Sequence, residues 1–260
     1  MHDPQHIKTL DLYPGIPISF IGPSLNEGPL PALFYFALAA QESLGVDPYN
    51  QPAVYLSSLP LRIFSIDIPG HGKELSSQDA LGRWTDTFKQ GTNLIAESAE
   101  RVSTCIADLI VKNIIIREKC AVAGLSRGAF LATYVAARCA DVRWILGFAP
   151  LTKLTFAKEF DEIKDSPAVR DANLENVTPL LLERTLRFYI GNCDQRVGTR
   201  NCFDFIEKLS QEMYAARIRS PTVELFINPS IGFQGHGTAK HIFHHGAQWL
   251  ASQLGIIDVH

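Results

Sequence analysis

Residues 120–138 read Cys-Ala-Val-Ala-Gly-Leu-Ser-Arg-Gly-Ala-Phe-Leu-Ala-Thr-Tyr-Val-Ala-Ala-Arg. The first four residues are an apolar run typical of a buried strand, and the residues after Gly128 have the apolar content of a helix. Ser126 is therefore predicted at the apex of a sharp turn between strand and helix, the arrangement of a nucleophile elbow. Gly124 and Gly128 fit this turn because a side chain at either position would collide with the strand or the helix.

The G-x-S-x-G pattern is weak support when it stands alone. At ordinary glycine and serine usage it arises by chance in about one chain in ten of this length. The rest of the chain supports the interpretation of this pattern as a nucleophile elbow, because short apolar runs alternate with segments of helical period. We predict strands at 32–38, 62–67, 144–148, 185–190 and 223–227, and helices at 51–58, 92–112, 201–216 and 240–254.

Serial strand and helix units predict a mostly parallel sheet covered by helices on both faces, with ligands at the carboxyl ends of the strands. Two short apolar runs, 7–12 and 16–21, are joined by the turn dipeptide Pro14-Gly15 and predict an N-terminal antiparallel hairpin. Residues 151–183 show no clean period, and we expect them to form a cap insertion over the strand ends.

Composition narrows the class of protein. The 260 residues are 46% hydrophobic and 20% charged, which suits a single α/β domain over residues 1–260. The net charge of -3 with scattered lysines and arginines disfavours nucleic-acid binding. The longest apolar stretch, 31–40, is too short to cross a bilayer, and the first eight residues lack a targeting pattern, so we expect a cytoplasmic protein. Five cysteines without metal-type spacing predict free thiols.

A serine hydroxyl is a poor nucleophile near neutral pH unless a base takes its proton and an acid orients that base. Both should follow the serine at later strand ends, the acid before the histidine. The strand at 185–190 runs into a glycine-led loop containing Asp194, which is the predicted acid, although aspartates in such loops also form turns and caps. The strand at 223–227 runs into a loop in which His236 lies between two glycines, so His236 is the predicted base.

Three further histidines, His241, His244 and His245, have the i, i+3, i+4 spacing that can hold a metal ion. They fall within the last predicted helix, where histidines usually form a polar surface, and the sequence offers no further ligand. We therefore predict no metal site.

An acyl-transfer site also needs backbone N–H groups that point at the developing oxyanion. The amide of Arg127, directly after the nucleophile, is one predicted donor, and the amide of Ala39 or Ala40, after the strand at 32–38, is the other. Residues that could border a substrate pocket at the strand ends, or else belong to the core or a tight loop, are Phe148, Leu151, Phe156, Phe160 and His71.

These pieces together resemble the α/β-hydrolase superfamily over nearly the whole chain. The matching motifs are the elbow 124–128, the Asp-Ile-Pro-Gly-His-Gly loop at 67–72, Asp194 in Asp-Gln-Arg-Val, and His236 in Gly-His-Gly. The last two are most similar to the dienelactone-hydrolase and prolyl-oligopeptidase-like branches. The resemblance implies a three-layer α/β fold with a cap and a Ser-His-Asp triad.

The expected activity is that of a carboxylesterase-like serine hydrolase acting on small esters or thioesters without a cofactor. A serine nucleophile disfavours branches that use aspartate or cysteine. The 260 residues do not include a β-propeller of the kind that gates oligopeptidases, which disfavours peptide hydrolysis. Leu38-Ala39-Ala40 stands where the family usually has His-Gly, so the residue that supplies the second oxyanion donor is left open. A small serine peptidase or aminoacyl-amide hydrolase, an acyltransferase and a non-catalytic ligand-binding homologue stay open as alternatives.

Overall fold

A computed structural model describes residues 7–13, 16–72 and 75–257. The predicted hairpin is present, although its turn residues Pro14 and Gly15 lie outside the described residues. In chain order the strands and helices are β1 (Lys8–Tyr13), β2 (Ile16–Ile21), β3 (Leu30–Phe36), α1 (Ala40–Gly45), α2 (Gln51–Leu56), β4 (Arg62–Ser65), α3 (Ala80–Lys89), α4 (Leu94–Val111), β5 (Ile115–Leu125), α5 (Arg127–Arg138), β6 (Val142–Phe148), α6 (Pro167–Asp171), β7 (Thr185–Gly191), α7 (Thr199–Ala215), β8 (Val223–Asn228) and α8 (Lys240–Gln253).

The strands form one sheet in the order β1-β2-β4-β3-β5-β6-β7-β8. β1 pairs antiparallel with β2, and β2 pairs antiparallel with β4. All other neighbours are parallel. The predicted mostly parallel sheet with an N-terminal hairpin is confirmed. β5, which leads to Ser126, lies near the middle of the sheet, so the elbow is flanked by strands on both sides.

Side chains of the central strands alternate between two apolar cores, one on each face of the sheet. Phe34 and Phe36 of β3 enter the first core, which α3, α4, α5 and α7 cover. Leu33 and Tyr35 enter the second core, which α1, α2 and α8 cover. This burial on both faces explains why β3 reads as a continuous apolar run. The result is the predicted three-layer arrangement. Of the helices in the part of the chain that the structure describes, none combines the length and apolarity needed to cross a bilayer.

Several boundaries differ from the sequence-based predictions. β3 ends at Phe36 and not at Leu38, because the amides of Ala37 and Leu38 donate to Ser43 Oγ at 3.1 and 3.0 Å and are lost to the strand ladder. Helices α1 and α3 are present in addition to the predicted helices. α1 is only six residues long, whereas α3 carries a detectable signal, since its buried residues Ala80, Leu81, Trp84, Thr85 and Phe88 recur at helical spacing.

Residues 151–183 contain α6 and short helical turns at 154–156, 158–160, 174–176 and 178–180. The segment packs against the first core, on the face of the sheet that α3, α4, α5 and α7 cover. Tyr134 OH donates to Ala172 O at 2.6 Å, and Thr85 Oγ1 donates to Glu159 O at 2.8 Å. Its role as a cap over the substrate stays a prediction.

Arg62 is a fully buried cation at the start of β4. Its guanidinium donates to the carbonyl oxygens of Pro23 at 3.2 Å and Gly28 at 2.8 Å, and also to those of Ser24 and Ile114. Burial lowers the pKa of Arg62. The side chain thus holds the loop before β3 and the residue before β5 against β4.

Replacing Arg62 with methionine is expected to lower the free energy of unfolding by about 3 to 5 kcal/mol, because one buried and three partly buried hydrogen bonds to carbonyl oxygens lose their donor. Urea unfolding followed by circular dichroism measures the change. Arg117→Met is the matched control, since Arg117 is an exposed arginine paired with Asp141 at 2.9 Å, and its loss should cost about 1 kcal/mol or less. Equal losses in the two variants would contradict the role given to Arg62.

Candidate active site

Ser126 lies between β5 and α5 with φ 56° and ψ -119°. A non-glycine residue in this region is strained, and such strain persists only where neighbouring contacts fix the backbone. Here the Ser126 amide donates to Phe148 O at 2.8 Å, and Ser126 O accepts from the amides of Ala129 and Leu151 at 3.1 and 3.2 Å. The elbow is therefore tied to β6, to the first turn of α5 and to the segment after β6.

The two elbow glycines are explained by close backbone contacts. A Cβ atom on Gly124 would lie 2.2 Å from the carbonyl carbon of Gly128, and one on Gly128 would lie 2.0 Å from Phe36 O. Strand β5, helix α5 and the end of β3 can approach this closely only without those side chains.

Asp194, the predicted acid, follows β7, and its side chain is fully buried. One carboxylate oxygen, Oδ1, accepts hydrogen bonds from the amides of Arg196 and Val197, both at 3.0 Å. The other, Oδ2, lies 2.7 Å from His236 Nδ1. With two amides on Oδ1, the carboxylate is fixed in the orientation that presents Oδ2 to the imidazole.

His236, the predicted base, follows β8 and completes the chain of contacts, since its Nε2 lies 2.9 Å from Ser126 Oγ. Asp194 Oδ2 is an acceptor, so it holds the proton on Nδ1 and leaves Nε2 free to accept from the serine hydroxyl. The imidazole is 17% exposed, so reactants can reach it. Ser126, Asp194 and His236 thus meet at the carboxyl ends of β5, β7 and β8, although Ser126 and His236 are 110 positions apart in the chain.

Hydrogen bonds join the loop that carries Asp194, residues 191–198, to the loop that carries His236, residues 228–237. The two loops are called the acid–base loop pair below. The Cys193 amide donates to Ser230 Oγ at 2.7 Å, and the Gln195 amide donates to Gln234 O at 2.9 Å. Gly235 has φ +71°, and a Cβ atom there would lie 2.2 Å from the carbonyl oxygen of the cysteine. The glycine before His236 is therefore required for the two loops to touch.

The three predicted oxyanion donors differ in their present partners. Arg127 is the first residue of α5, so its N–H has no acceptor within the helix. The Ala39 amide donates to Glu42 Oε2 at 3.2 Å, and the Ala40 amide donates to Asp67 Oδ1 at 2.7 Å. The structure therefore does not leave either alanine amide free.

Three of the four apolar residues predicted to border a pocket or belong to the core are buried in the two cores. Phe148 is fully buried, with ring centroids 4.7 Å from Phe243 and 5.5 Å from Tyr189. Leu151 and Phe160 are buried in the first core. Phe156 is 44% exposed. Sequence could not separate these cases, since an apolar residue near a strand end can point to either face of the sheet.

His71 is buried, and its Nδ1 lies 3.2 Å from Pro69 O, so Nδ1–H donates to that carbonyl. Burial, followed by the nearby charge of Arg127, lowers the pKa of His71 from 6.5 to about 4. The imidazole is therefore neutral at physiological pH.

A depressed histidine pKa makes stability depend on pH. Between pH 6.5 and 4 the unfolded chain binds more protons at His71 than the folded chain, so acidification through this range costs about 2 to 3 kcal/mol of unfolding free energy. His71→Asn keeps a donor for Pro69 O and should flatten this decline, measured by urea unfolding at pH 7, 5.5 and 4. His244→Asn changes an exposed histidine and should keep the wild-type slope. Parallel slopes in all three proteins would contradict the prediction.

The histidines of α8 have other contacts. His245 Nδ1 lies 3.0 Å from Tyr189 OH, and the His244 ring centroid lies 5.1 Å from that of Tyr55. Within residues 7–13, 16–72 and 75–257, no group of three or more histidine, cysteine, aspartate or glutamate side chains is placed to hold a metal ion.

No protein-family model matches the chain, and no curated protein matches its sequence. Solved structures do match. Dipeptidyl peptidase 4 of Porphyromonas gingivalis has a TM-score of 0.66 at 13% identity, over 97% of this chain and 36% of that one. A protein of Thermus thermophilus has a TM-score of 0.71 at 16% identity, over 96% of this chain and 98% of that one. Acetyl xylan esterase 1 of Thermoanaerobacterium sp. has a TM-score of 0.62 at 15% identity, over 99% and 89%.

The protein therefore has the α/β-hydrolase fold, in agreement with the resemblance seen in its sequence motifs. It spans about a third of the length of the P. gingivalis peptidase and nearly the full length of the T. thermophilus protein.

Proposed function

We propose that the protein is a serine hydrolase that cleaves small carboxylic esters or thioesters through an acyl-enzyme on Ser126. The observation that carries the proposal is the continuous contact from Asp194 Oδ2 to His236 Nδ1 at 2.7 Å and from His236 Nε2 to Ser126 Oγ at 2.9 Å. Similar structures that include an esterase and a peptidase support hydrolysis on this fold.

In the proposed reaction, His236 Nε2 takes the hydroxyl proton while Ser126 Oγ bonds to the substrate carbonyl carbon. The imidazolium is stabilised by Asp194, which keeps its own charge. The tetrahedral intermediate then breaks its bond to the leaving group, which receives the proton from His236. A water molecule repeats the sequence on the acyl-enzyme, releasing the acid and restoring the serine.

The oxyanion needs two backbone donors, each contributing about 3 kcal/mol to transition-state stability. Arg127 N–H is the first, because no helical acceptor competes for it. We assign the second to Ala39. Its present acceptor is the side chain of Glu42, which is partly exposed and can turn to solvent. The Glu42 carboxylate oxygen accepts the hydrogen bond from the Ala39 amide that the oxyanion would accept in the proposed reaction.

Labelling with a fluorophosphonate probe tests the proposal directly. The probe should bind one site, and peptide mass spectrometry should place it on Ser126. Labelling of another residue, or none under conditions where the protein is folded, would overturn the proposal.

Peptide-bond hydrolysis on the same scaffold is the principal alternative. A panel of nitrophenyl esters and aminoacyl nitroanilides separates the two, and we expect the esters to have the larger kcat/KM. Faster turnover of the anilides would instead assign the protein to the peptidases.

A further inference from the structure

The side chain of Arg127, next to the nucleophile, is not fully paired within the part of the chain that the structure describes. Its Nη1 atom is buried and makes no hydrogen bond with any residue that the structure describes. Burial is the main cause that lowers the pKa of Arg127, to about 10, with the charge of Arg196 as a second cause. The guanidinium is therefore still charged at neutral pH.

The acidic group that acts on Arg127 is shared with another arginine. Glu159 raises the pKa of Arg127 but forms its ion pair with Arg196, at 3.4 Å. His71 is a buried group whose pKa is lowered by the charge of Arg127. Its Nδ1–H is used by Pro69 O, its Nε2 has no partner among the described residues, and the neutral ring brings no negative charge. Within the described part of the chain, Arg127 thus shares the charge of Glu159 with Arg196, and its Nη1 keeps no hydrogen-bond partner beside the nucleophile.

An unpaired buried charge is costly, and such groups are retained where a ligand completes them or where they hold a local structure. The planar guanidinium has donors in a fixed fork that matches a carboxylate. Arg127 as a whole is partly exposed, although its Nη1 atom is buried. Its Cα atom is also only about 3.8 Å from that of Ser126, which keeps a bound group close to the reacting carbonyl.

We propose that the Arg127 guanidinium binds a carboxylate of the substrate. The substrate class is then an ester or thioester that carries a free carboxylate, such as a half-ester of a short dicarboxylic acid. The proposal rests on the proposed function, because the carboxylate is bound at the site where Ser126 is acylated. In this assignment the Arg127 backbone binds the oxyanion and its side chain selects the substrate.

Two matched substrate pairs test where the carboxylate lies. Mono-4-nitrophenyl succinate against 4-nitrophenyl butyrate places a carboxylate or a methyl group at the end of the acyl chain. 4-Acetoxybenzoate against phenyl acetate places the carboxylate on the leaving group. The readout is the ratio of kcat/KM for the charged and neutral members of each pair, after subtraction of spontaneous hydrolysis.

We expect the wild-type protein to prefer the charged member of one pair by at least tenfold, and Arg127→Met to lower that ratio about 10- to 100-fold. Arg127→Lys keeps the charge without the fork and should retain part of the preference. Arg200→Met is the control, because Arg200 is an exposed arginine paired with Asp204 at 2.6 Å on α7, and it should keep the wild-type ratio.

Two results overturn the proposal. One is a wild-type ratio near one for both pairs, which needs no variant and so decides the matter even if Arg127→Met fails to fold. The other is an unchanged ratio in folded Arg127→Met, which would make Arg127 a structural residue. Fluorophosphonate labelling of Ser126 in the wild-type protein distinguishes these outcomes from failure of the proposed function, since the hydrolase assignment survives when labelling occurs and the ratio does not respond.

Discussion

Ser126→Ala is expected to lower kcat for nitrophenyl ester hydrolysis by about 10⁵- to 10⁶-fold, because the substitution removes the oxygen that attacks the carbonyl carbon and carries the acyl group. KM should change little, since the substituted atom makes its bond only during the reaction. The fold should persist. Alanine meets the same backbone strain at φ 56°, and the amide still donates to Phe148 O. Steady-state kinetics and intact-protein mass spectrometry of the acyl adduct provide the measurement.

A serine elsewhere provides the control for this variant. Ser210 lies on α7, and its hydroxyl donates to Ile206 O at 2.8 Å. Ser210→Ala should keep full activity and an unchanged adduct. Retention of more than about 1% of wild-type kcat by purified Ser126→Ala would point to a different nucleophile.

Asp194→Asn is expected to lower kcat by about 10⁴-fold. An asparagine amide can donate to His236 Nδ1, which favours the tautomer with the proton on Nε2. The imidazole then cannot accept the proton of Ser126. The amide oxygen can still accept from the amides of Arg196 and Val197, so the loop should keep its conformation. The kinetic loss should therefore greatly exceed any loss in thermal stability.

The measurement compares kcat with the melting temperature for Asp194→Asn and for a control, Asp204→Asn. Asp204 is a carboxylate on α7 that pairs with Arg200 at 2.6 Å, and its loss should leave kcat near the wild-type value. If Asp194→Asn instead lowers the melting temperature while kcat of the folded protein is kept, Asp194 is a structural cap and not the acid.

The parallel sheet and the positions of the triad candidates could be predicted because both depend on local patterns. Apolar runs mark strands, and parallel strands bring their carboxyl ends to one edge, so a serine elbow, an aspartate and a glycine-flanked histidine after successive strands must lie near each other. The sequence therefore indicated which residues to compare. Their spacing to within hydrogen-bond distance required the structure, and their roles stay predictions until tested.

The substrate side of the site depends on tertiary contacts that no local pattern records. The Ala40 amide is taken by Asp67, which comes from the loop after β4. Phe148 looked like a pocket residue but faces α8, where it packs on Phe243. The unpaired Nη1 of Arg127 is likewise visible only when the partner of Glu159 is known. Each case is decided by the direction of a side chain relative to a segment distant in sequence.

The site consists of two hydrogen-bonded units, and the acid–base loop pair is one of them. Asp194 and His236 are joined by their own contact and by bonds between their loops. Ser126 belongs to the other unit, fixed to β6 and α5. The 2.9 Å contact between His236 Nε2 and Ser126 Oγ joins the two units at the reacting atoms, and the pairing of β6 with β7 joins them through the sheet. We therefore expect warming or loop substitutions to widen this gap first, so that proton transfer from the serine slows while the aspartate and histidine still move together.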